Sequence, residues 1–509
     1  MATGGAASSD LGRRSITAVL WGAGATVLRI GVQVVSQIVL ARILGPDQYG
    51  LFAAALVAVF FSSFFSDVGL SYGLIQRKDV DDRDIRFVFT WQMILGLLVT
   101  GLLYAAAPLL AGFFEDARLE PILRWLSLSC LINSTGATAS ALLKRDLDFK
   151  TLNLGTLVSY GLGFFVVGIP MALAGAQVEA LVAAFLVQAA ASQAISFWRR
   201  PHPIRPLLWY PDAVGALRFG GTVLITNLLN WVMSSIDRVI IGRTFTMSAV
   251  GLYSTVYNLI NMPAMTAIGL VQSVLYSASS RVQDDRARLQ AGFVTMFSAM
   301  AVFGGAVFCA VAAIAPTFVL ALYGSKWTDA APLVVPLALA MPIYLMMGMA
   351  IPALWASGNA RLEFRLQVPV AAAWAVFVLL LARLGSLELM AWGVTAMFAL
   401  RAALIVGATL RVIALPATAV MRPIATGLLV SGVVSACVAL ADRLARAVVD
   451  LPVAWLVADM VAGALALAVA LRMFRWLLDP QLRSLLGRLA ERLPARVGRP
   501  VSRWLGAQA

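Results

Sequence analysis

An all-α, polytopic membrane protein of about fourteen transmembrane helices is the fold class this sequence predicts. It reads as two pseudo-symmetric six-helix lobes plus two C-terminal helices. Three observations predict it. The chain has 509 residues, of which 61% are hydrophobic and only 13% charged, with a mean hydropathy of +0.87. Soluble domains are about 45–50% apolar and about 25% charged. Apolar runs of spanning length recur along the whole chain, and the charges gather in the short connections between them. Soluble, disordered and fibrous classes are excluded.

The elements follow in order. A short basic tail, 1–15, carries Arg13 and Arg14 and leads into a full-length apolar run. No small-residue cleavage site ends that run, which predicts an uncleaved first span rather than a signal peptide. The expected spans are 16–41, 50–71, 87–111, 122–143, 151–173, 177–198, 215–241, 249–275, 291–315, 331–356, 364–384, 387–410, 423–441 and 452–473. Two carry weaker signals: 122–143 is polar in its middle, and 331–356 contains Pro332, Pro336, Pro342 and Pro352. Membrane helices tolerate proline where neighbours satisfy the freed carbonyls. The organisation expected is an N-lobe over 16–198, a cytoplasmic linker over 199–214 and a C-lobe over 215–410. Two added spans occupy 423–473, and a basic tail runs over 474–509. In 482–493 the leucines Leu482, Leu485, Leu486, Leu489 and Leu493 repeat at helical spacing beside Arg483, Arg488 and Arg492. That pattern predicts an amphipathic helix on the inner leaflet, with a frayed basic tail as the alternative.

Loop charge sets the orientation. Arg77, Lys78, Arg83 and Arg86, then Lys144, Arg145 and Lys150, then Arg199, Arg200, Arg205 and Arg218 fall in alternate connections. Arg281, Arg286 and Arg288, and then Arg361 and Arg365, continue the series. Basic residues concentrate on the cytoplasmic side of membrane proteins, so both termini are expected to be cytoplasmic. The net charge of +14 is thereby explained without nucleic acid. Several chemistries are excluded. Cys130, Cys309 and Cys437 all lie in apolar runs and form no disulfide framework. The single histidine, His202, sits between two prolines, which excludes histidine triads and multi-histidine metal sites. There is no phosphate-binding loop motif for a nucleotide. The expectation is a transporter without metal or cofactor rather than an enzyme.

An internal repeat refines the picture. The segment from Arg42 to Gly50, Leu51 and Phe52 echoes the segment from Arg243 to Gly251, Leu252 and Tyr253. Arginine and glycine keep one spacing, and Gly-Leu-aromatic closes both. A second echo pairs Arg145-Asp-Leu-Asp-Phe149 with Arg361-Leu-Glu-Phe364. Spans 1–6 and 7–12 therefore read as two copies of one unit. Six is even, so the copies share an orientation and are related by an axis along the membrane normal, with a site expected near the midplane and opened alternately by rocking.

At these residues the chain resembles a known family, the polysaccharide-transporter (Wzx-type, oligosaccharide-lipid flippase) branch of the multidrug/oligosaccharidyl-lipid/polysaccharide exporter superfamily. The resemblance rests on Ala41-Arg42, Leu44-Gly45-Pro46 and Tyr49-Gly50, and on Asp67 to Leu70 with Gln76-Arg77 beyond. It rests also on Asp237-Arg238 through Arg243 to Gly251-Leu-Tyr253, and on Tyr323-Gly324 with Trp327. It covers about residues 15 to 425 and is nearest to the exopolysaccharide and colanic-acid type. It implies a bacterial inner-membrane flippase that moves polyprenyl-pyrophosphate-linked oligosaccharide repeat units outward by alternating access, for exopolysaccharide, capsule or lipopolysaccharide O-antigen. Its implied partners are that lipid-linked oligosaccharide, membrane lipids, and a polysaccharide polymerase and glycosyltransferases.

Ionisable groups within spans cost about 2.5–3.5 kcal/mol each at mid-helix and face the bundle interior by default. Arg29 in span 1 and Arg401 in span 12 are the candidates for holding the pyrophosphate, because the planar guanidinium fork matches phosphate oxygens. Arg238 is a further candidate, and Asn227 and Asn230, one turn apart, are candidates for sugar hydroxyls. Each has a plainer alternative. Arg238 and Arg401 also fit snorkelling or pairing, Arg29 fits structural pairing, and the asparagines fit interhelical hydrogen bonding. Asp67 and Asp237 are candidates for ion coupling, although Asp67 fits helix packing or loop capping better. Arg42 and Arg243 read as loop anchors at helix C-termini. Asp459 marks either a lipid-tail path or a partner for a nearby arginine, and spans 13 and 14 are expected to form a groove for the polyprenyl tail. With no nucleotide site, the inside-negative potential could drive a dianionic headgroup outward, at about 2.3 kcal/mol per charge per 100 mV. The rival functions are a multidrug or small-solute exporter of the same superfamily, a membrane glycosyltransferase or polymerase, and a non-catalytic scaffold of an envelope polysaccharide complex. The absence of a long extramembrane loop disfavours the enzyme.

Overall fold

The computed structural model describes residues 28–77, 79–211, 213–279 and 286–491, and every regular element among them is helical. Helix α1 covers 28–44. It is followed by α2 (Pro46–Asp67), α3 (Leu70–Gln76), α4 (Asp82–Phe113), α5 (Leu119–Arg145), α6 (Phe149–Leu173), α7 (Val178–Arg199), α8 (Ala213–Thr244) and α9 (Met247–Ser279). Then come α10 (Ala287–Ala313), α11 (Ala315–Tyr323), α12 (Ala331–Ala356), α13 (Ala360–Ala382), α14 (Leu387–Val412), α15 (Thr418–Val448), α16 (Pro452–Met473) and α17 (Pro480–Glu491). Among the described residues, eleven helices are long and apolar enough to cross a membrane. The remaining expected spans, 16–41, 215–241 and 249–275, coincide with α1, α8 and α9, with 16–27 outside the described residues.

The helices form two compact units, Met1–Gly251 and Leu252–Ala509. The division falls inside α9, so α8 belongs to the first unit, where it packs on α2, α3 and α4. In the first unit α5 is the central helix, with 61% of its spanning window buried. Its polar middle explains this. Thr100 Oγ1 of α4 donates to the Ser127 carbonyl at 3.1 Å, and Thr138 Oγ1 donates to Gln92 Oε1 at 2.5 Å. Ser134 closes on Gly96, where a Cβ would stand 2.3 Å from its hydroxyl. Small and hydroxylated side chains let backbones approach and bond across helices, which is how helices associate where lipid offers no hydrophobic contrast.

In the second unit α12 holds the same place. The window Ser325–Trp355 is 67% buried. Helix α14 supports it through Thr395 Oγ1 on the Pro336 carbonyl at 2.7 Å and Thr409 Oγ1 on the Ala350 carbonyl at 3.3 Å. Helix α10 contains a π-helical stretch, Met300–Gly304, against which α15 lays Gly427; a Cβ there would come 2.6 Å from the Ala301 carbonyl oxygen. Val430, Val434 and Val438 of α15 and Ala466 and Ala470 of α16 share one buried cluster with Val302 and Ala306 of α10. Spans 13 and 14 are thus part of the second unit's core. Helix α17 begins at Pro480 and is amphipathic as expected, but Leu482 is buried and Leu486 packs on that same cluster. Its apolar face therefore meets protein there, while the side chain of Leu489 and the whole of Leu493 lie outside the described residues.

Local chemistry fixes the ends. Gly45 (φ 80°) turns the chain so that Pro46 can open α2 at a position where its missing N–H costs nothing. Gly324 (φ 83°) makes the corresponding turn after α11, beside the buried pair Tyr323 and Trp327 with rings 5.3 Å apart. Helix α4 starts with a reciprocal cap. Asp81 accepts from the N–H groups of Arg83 (3.0 Å) and Asp84 (2.9 Å), and Asp84 accepts from the Asp81 N–H (3.2 Å). Asp81→Ala is therefore expected to cost about 1 kcal/mol, read as a lower thermal midpoint of the purified protein. An unchanged midpoint would show that the cap contributes nothing.

The segment before α8 is a strap on α4 rather than a free linker. Arg86 donates to the carbonyls of Arg205 (3.0 Å) and Pro206 (3.2 Å), Trp91 Nε1 to that of Leu208 (3.0 Å), and the Leu207 N–H to Thr90 Oγ1 (2.9 Å). Tyr210 is buried against Phe87 and bonded to Asp84 and Arg77. Burial, with the Asp84 carboxylate beside it, pushes the Tyr210 phenol up to about 12. His202 lies between the rings of Phe89 and Phe197, and burial pushes its pKa below the ordinary histidine value.

Candidate functional site

The charged side chains within spans fall into three groups. The first surrounds Arg401, half-buried on α14. Its charge interacts with the carboxylate of Glu363 and the hydroxyls of Tyr344 and Tyr257. Glu363, at the start of α13, is 8% exposed. It accepts from Trp355 Nε1 and from Gln367 Nε2. Tyr344 stacks on Phe398, with ring centres 5.1 Å apart, and donates to Met265 Sδ at 2.9 Å. The Nε of Arg401 is buried with no hydrogen-bond partner among the described residues. A guanidinium held by packing, with donors unspent, is suited to an anion that presents several oxygens. Glu363 was legible only as part of the Arg361-Leu-Glu-Phe364 echo, and nothing in its spacing tied it to Arg401.

The second group lies in the first unit. Arg29 on α1 is half-buried, and its Nε likewise has no hydrogen-bond partner among the described residues. Seven residues later Ser36 bonds Tyr160 of α6 at 2.8 Å. Asp237 (5% exposed) and Arg238 are adjacent on α8. Asn227, half-buried, and Asn230, exposed, stand on that helix too. Asp67 ends α2, and its Oδ1 takes three donors: the Ser71 N–H (3.2 Å), the Ser71 hydroxyl (2.7 Å) and Gln92 Nε2 (2.6 Å). That oxygen pins α3 and α4 to the end of α2. Arg243 pairs with Glu115 and lies 5.9 Å over the Phe113 ring, so it anchors α8 to the α4–α5 connection. Arg118 there bridges Asp47 and Asp116, each at 2.7 Å, and holds the Asp116 carboxyl below its usual range.

Between α2, α4 and α8, all in the first unit, lies a cavity of about 540 Å³. Phe61, Phe65, Leu98, Leu102, Phe113 and Trp231 line it, with Ser62 contributing a hydroxyl. Phe61 and Trp231 meet with ring centres 4.8 Å apart. Such a lining accepts hydrocarbon and rejects a charged head. The third group, around Asp459 on α16, is buried in the second unit. Among the described residues no cluster has the ligands for a metal ion.

Comparison with known proteins finds one matching family, several curated relatives and a solved structure. The family described as "Polysaccharide biosynthesis protein" matches residues 39–332. Escherichia coli K12 "Lipopolysaccharide biosynthesis protein WzxC" is 24% identical over 330 residues, 64% of this chain and 66% of that protein. Bacillus subtilis 168 "Teichuronic acid biosynthesis protein TuaB" is 26% identical over 339 residues, 65% of this chain and 69% of that one. Rhizobium meliloti 1021 "Succinoglycan biosynthesis transport protein ExoT" is 25% identical over 334 residues, 66% and 67% respectively. The chain thus spans about two thirds of the length of the curated relatives it matches, and slightly less for the first of them. Among solved structures, "Lipid II flippase MurJ, inward closed conformation" superposes with a TM-score of 0.73 at 12% identity, over 90% of this chain and all of that one. At that identity the likeness is one of fold, a polytopic all-helical one.

Proposed function

The chain belongs to the polysaccharide biosynthesis protein family, and from that premise we propose that it is a flippase for polyprenyl-pyrophosphate-linked oligosaccharide repeat units. It is a multi-pass membrane protein. In the proposal it sits in a bacterial inner membrane with both termini cytoplasmic. There it exports its cargo for exopolysaccharide, capsule or O-antigen assembly, beside the glycosyltransferases that build the repeat unit and the polymerase that consumes it. Residues 16–198 and 215–410 are the two copies of its six-span repeat.

The observation that carries the reading is the pair of half-buried arginines, Arg29 and Arg401, each with a buried Nε that has no hydrogen-bond partner among the described residues, on membrane helices. Each keeps an unspent donor in a low-dielectric setting, where an anionic head repays its desolvation. Arg29 and Arg401 bind the pyrophosphate, Arg238 assists, and Asn227 and Asn230 meet sugar hydroxyls on α8. The apolar cavity between α2, α4 and α8 accepts isoprenoid carbons. A cationic drug as cargo would meet repulsion at both arginines.

Energy comes from the membrane. A head with about two negative charges gains roughly 4–5 kcal/mol per 100 mV on moving outward. The test is translocation of a fluorescent polyprenyl-pyrophosphate sugar in vesicles holding the purified protein at clamped potential. Outward movement is expected to accelerate as the inside becomes more negative. Indifference to both potential and proton gradient would remove the energetic half of the proposal, and no translocation at all would remove the cargo.

A further inference from the structure

Asp459 of α16 is 2% exposed, and among the described residues neither of its carboxylate oxygens has a hydrogen-bond partner. Its electrostatic neighbours are Asp442 and Arg446 of α15. Asp442, itself buried, is held on both oxygens. Arg446 Nε lies 2.9 Å from Oδ2, and the Thr317 hydroxyl of α11 donates to Oδ1 at 2.5 Å. Arg446 also donates to Thr317, and its guanidinium lies 5.3 Å from the centre of the Trp455 ring. The cation is thus committed to Asp442. Asp459 is left facing a second carboxylate with no cation of its own.

The surrounding elements bring no further charge to it. Helix α16 packs against α15, α11 and the second half of α10. From α15 the facing groups are Asp442 and Arg446, and from α11 the Thr317 hydroxyl. Helix α11 also carries the buried phenol of Tyr323, and α10 carries the thiol of Cys309. Asp450, in the turn between α15 and α16, is exposed. With both carboxylates ionised, the cluster holds one uncompensated negative charge where Asp442 and Asp459 are both buried between helices, which is unfavourable. A hard metal cation answers poorly, because it requires a shell of many oxygens; here both oxygens of Asp442 are taken and Arg446 repels a second cation. A proton on Asp459 needs no shell. It cancels the net charge and turns an orphaned acceptor into an O–H donor.

We propose that Asp459, framed by Asp442, Arg446 and Thr317, is a proton-binding site, and that its proton is the ion whose movement is coupled to export. The binding step is a simple balance: the Asp459 carboxylate takes a proton from solvent to become the acid, and releases the same proton to restore the carboxylate. Release leaves two anions for one arginine, so the α15–α16 pair has two electrostatic states for a conformational cycle to use. The coupling half rests on the flippase reading, while the binding half does not.

The experiment uses the full chain in lipid nanodiscs and in vesicles. Asp459→Asn copies the neutral acid and should insert and fold. Infrared difference spectra of the wild type should show a carboxylic-acid C=O band that titrates and is lost in Asp459→Asn. The thermal midpoint should rise on acidification in the wild type and lose that rise in the variant. Exchanging potassium for sodium should move neither. In vesicles, an imposed proton gradient should speed translocation by the wild type, and Asp459→Asn should lose that response. Absence of the band, or a sodium-dependent midpoint abolished by Asp459→Asn, overturns the proton site. A band that is present while the variant keeps the full gradient response overturns the coupling. A wild type that moves no lipid-linked sugar overturns the flippase reading and the coupling with it, while the spectra still decide the site.

Discussion

Gly50→Val and Gly251→Val are each expected to abolish accumulation of folded protein, and even the alanine variants should melt well below the wild type. The reason is a reciprocal contact of two backbones. A Cβ on Gly50 would stand 1.7 Å from the Met247 carbonyl oxygen, and one on Gly251 would stand 1.8 Å from the Pro46 carbonyl oxygen. Each glycine meets the carbonyl four residues before the other, and all four residues lie in the first unit. The obstructing atoms are main chain, so no rotamer change relieves the clash and the two helix starts would have to part. Overpacking usually costs about 1–3 kcal/mol even where side chains can yield, and this contact exceeds that class. The control is Gly101→Ala, with nothing within 4 Å of the added carbon, where removing a glycine from a helix interior should stabilise by about 0.5–1 kcal/mol. Thermal denaturation and membrane yield decide it. A Gly50→Ala protein as stable as the wild type would show that these helices do not touch as described.

That contact joins two segments whose likeness was visible in the sequence, Gly50-Leu-Phe and Gly251-Leu-Tyr, though nothing in the sequence showed that they meet. The same limit runs through the fold. The positions of eleven spans were legible because lipid selects for apolar length, one helix at a time. The two weakest signals, 122–143 and 331–356, became α5 and α12, the most buried windows among the candidate spans. In α5 mean hydropathy falls to 1.3, because protein replaces lipid around it and Ser127 and Thr138 have neighbours to bond; in α12 it stays at 2.0, and the signal was weakened by prolines such as Pro336, whose carbonyl takes Thr395. The two windows are also six spans apart, the spacing of the proposed repeat. Loop charge was read as orientation only. Arg77, Arg86 and Arg145 do more than that, each bonding carbonyls or side chains of a neighbouring loop. Partnership between distant residues has no one-dimensional signature, and for the same reason Glu363 could not be connected to Arg401.

That partnership sets up the variant series with the largest expected effect on transport. Arg401→Ala should lower translocation by about 10-fold to 150-fold, the equivalent of losing one charge-assisted hydrogen bond of about 1.5–3 kcal/mol. Arg401→Lys should recover part of this, since it keeps the charge and loses the planar fork. Taken alone, the alanine result is ambiguous. It also strips Glu363 of its cation and leaves a carboxylate, 8% exposed, with only Trp355 and Gln367 to hold it. Breaking a buried pair from one side is destabilising for that reason. The double variant Arg401→Ala with Glu363→Gln separates the two roles, because it removes both charges and keeps the amide–indole contact. If Arg401 grips an anionic head, the double variant regains the wild-type melting point and still fails to transport. If Arg401 serves only to neutralise Glu363, both properties return together. Arg29→Ala has no such confound on the contacts described, because no carboxylate is seen to depend on it. It should lose transport with little change in stability, and wild-type export by Arg29→Ala together with full rescue by the double variant would dismantle the pyrophosphate grip at both positions.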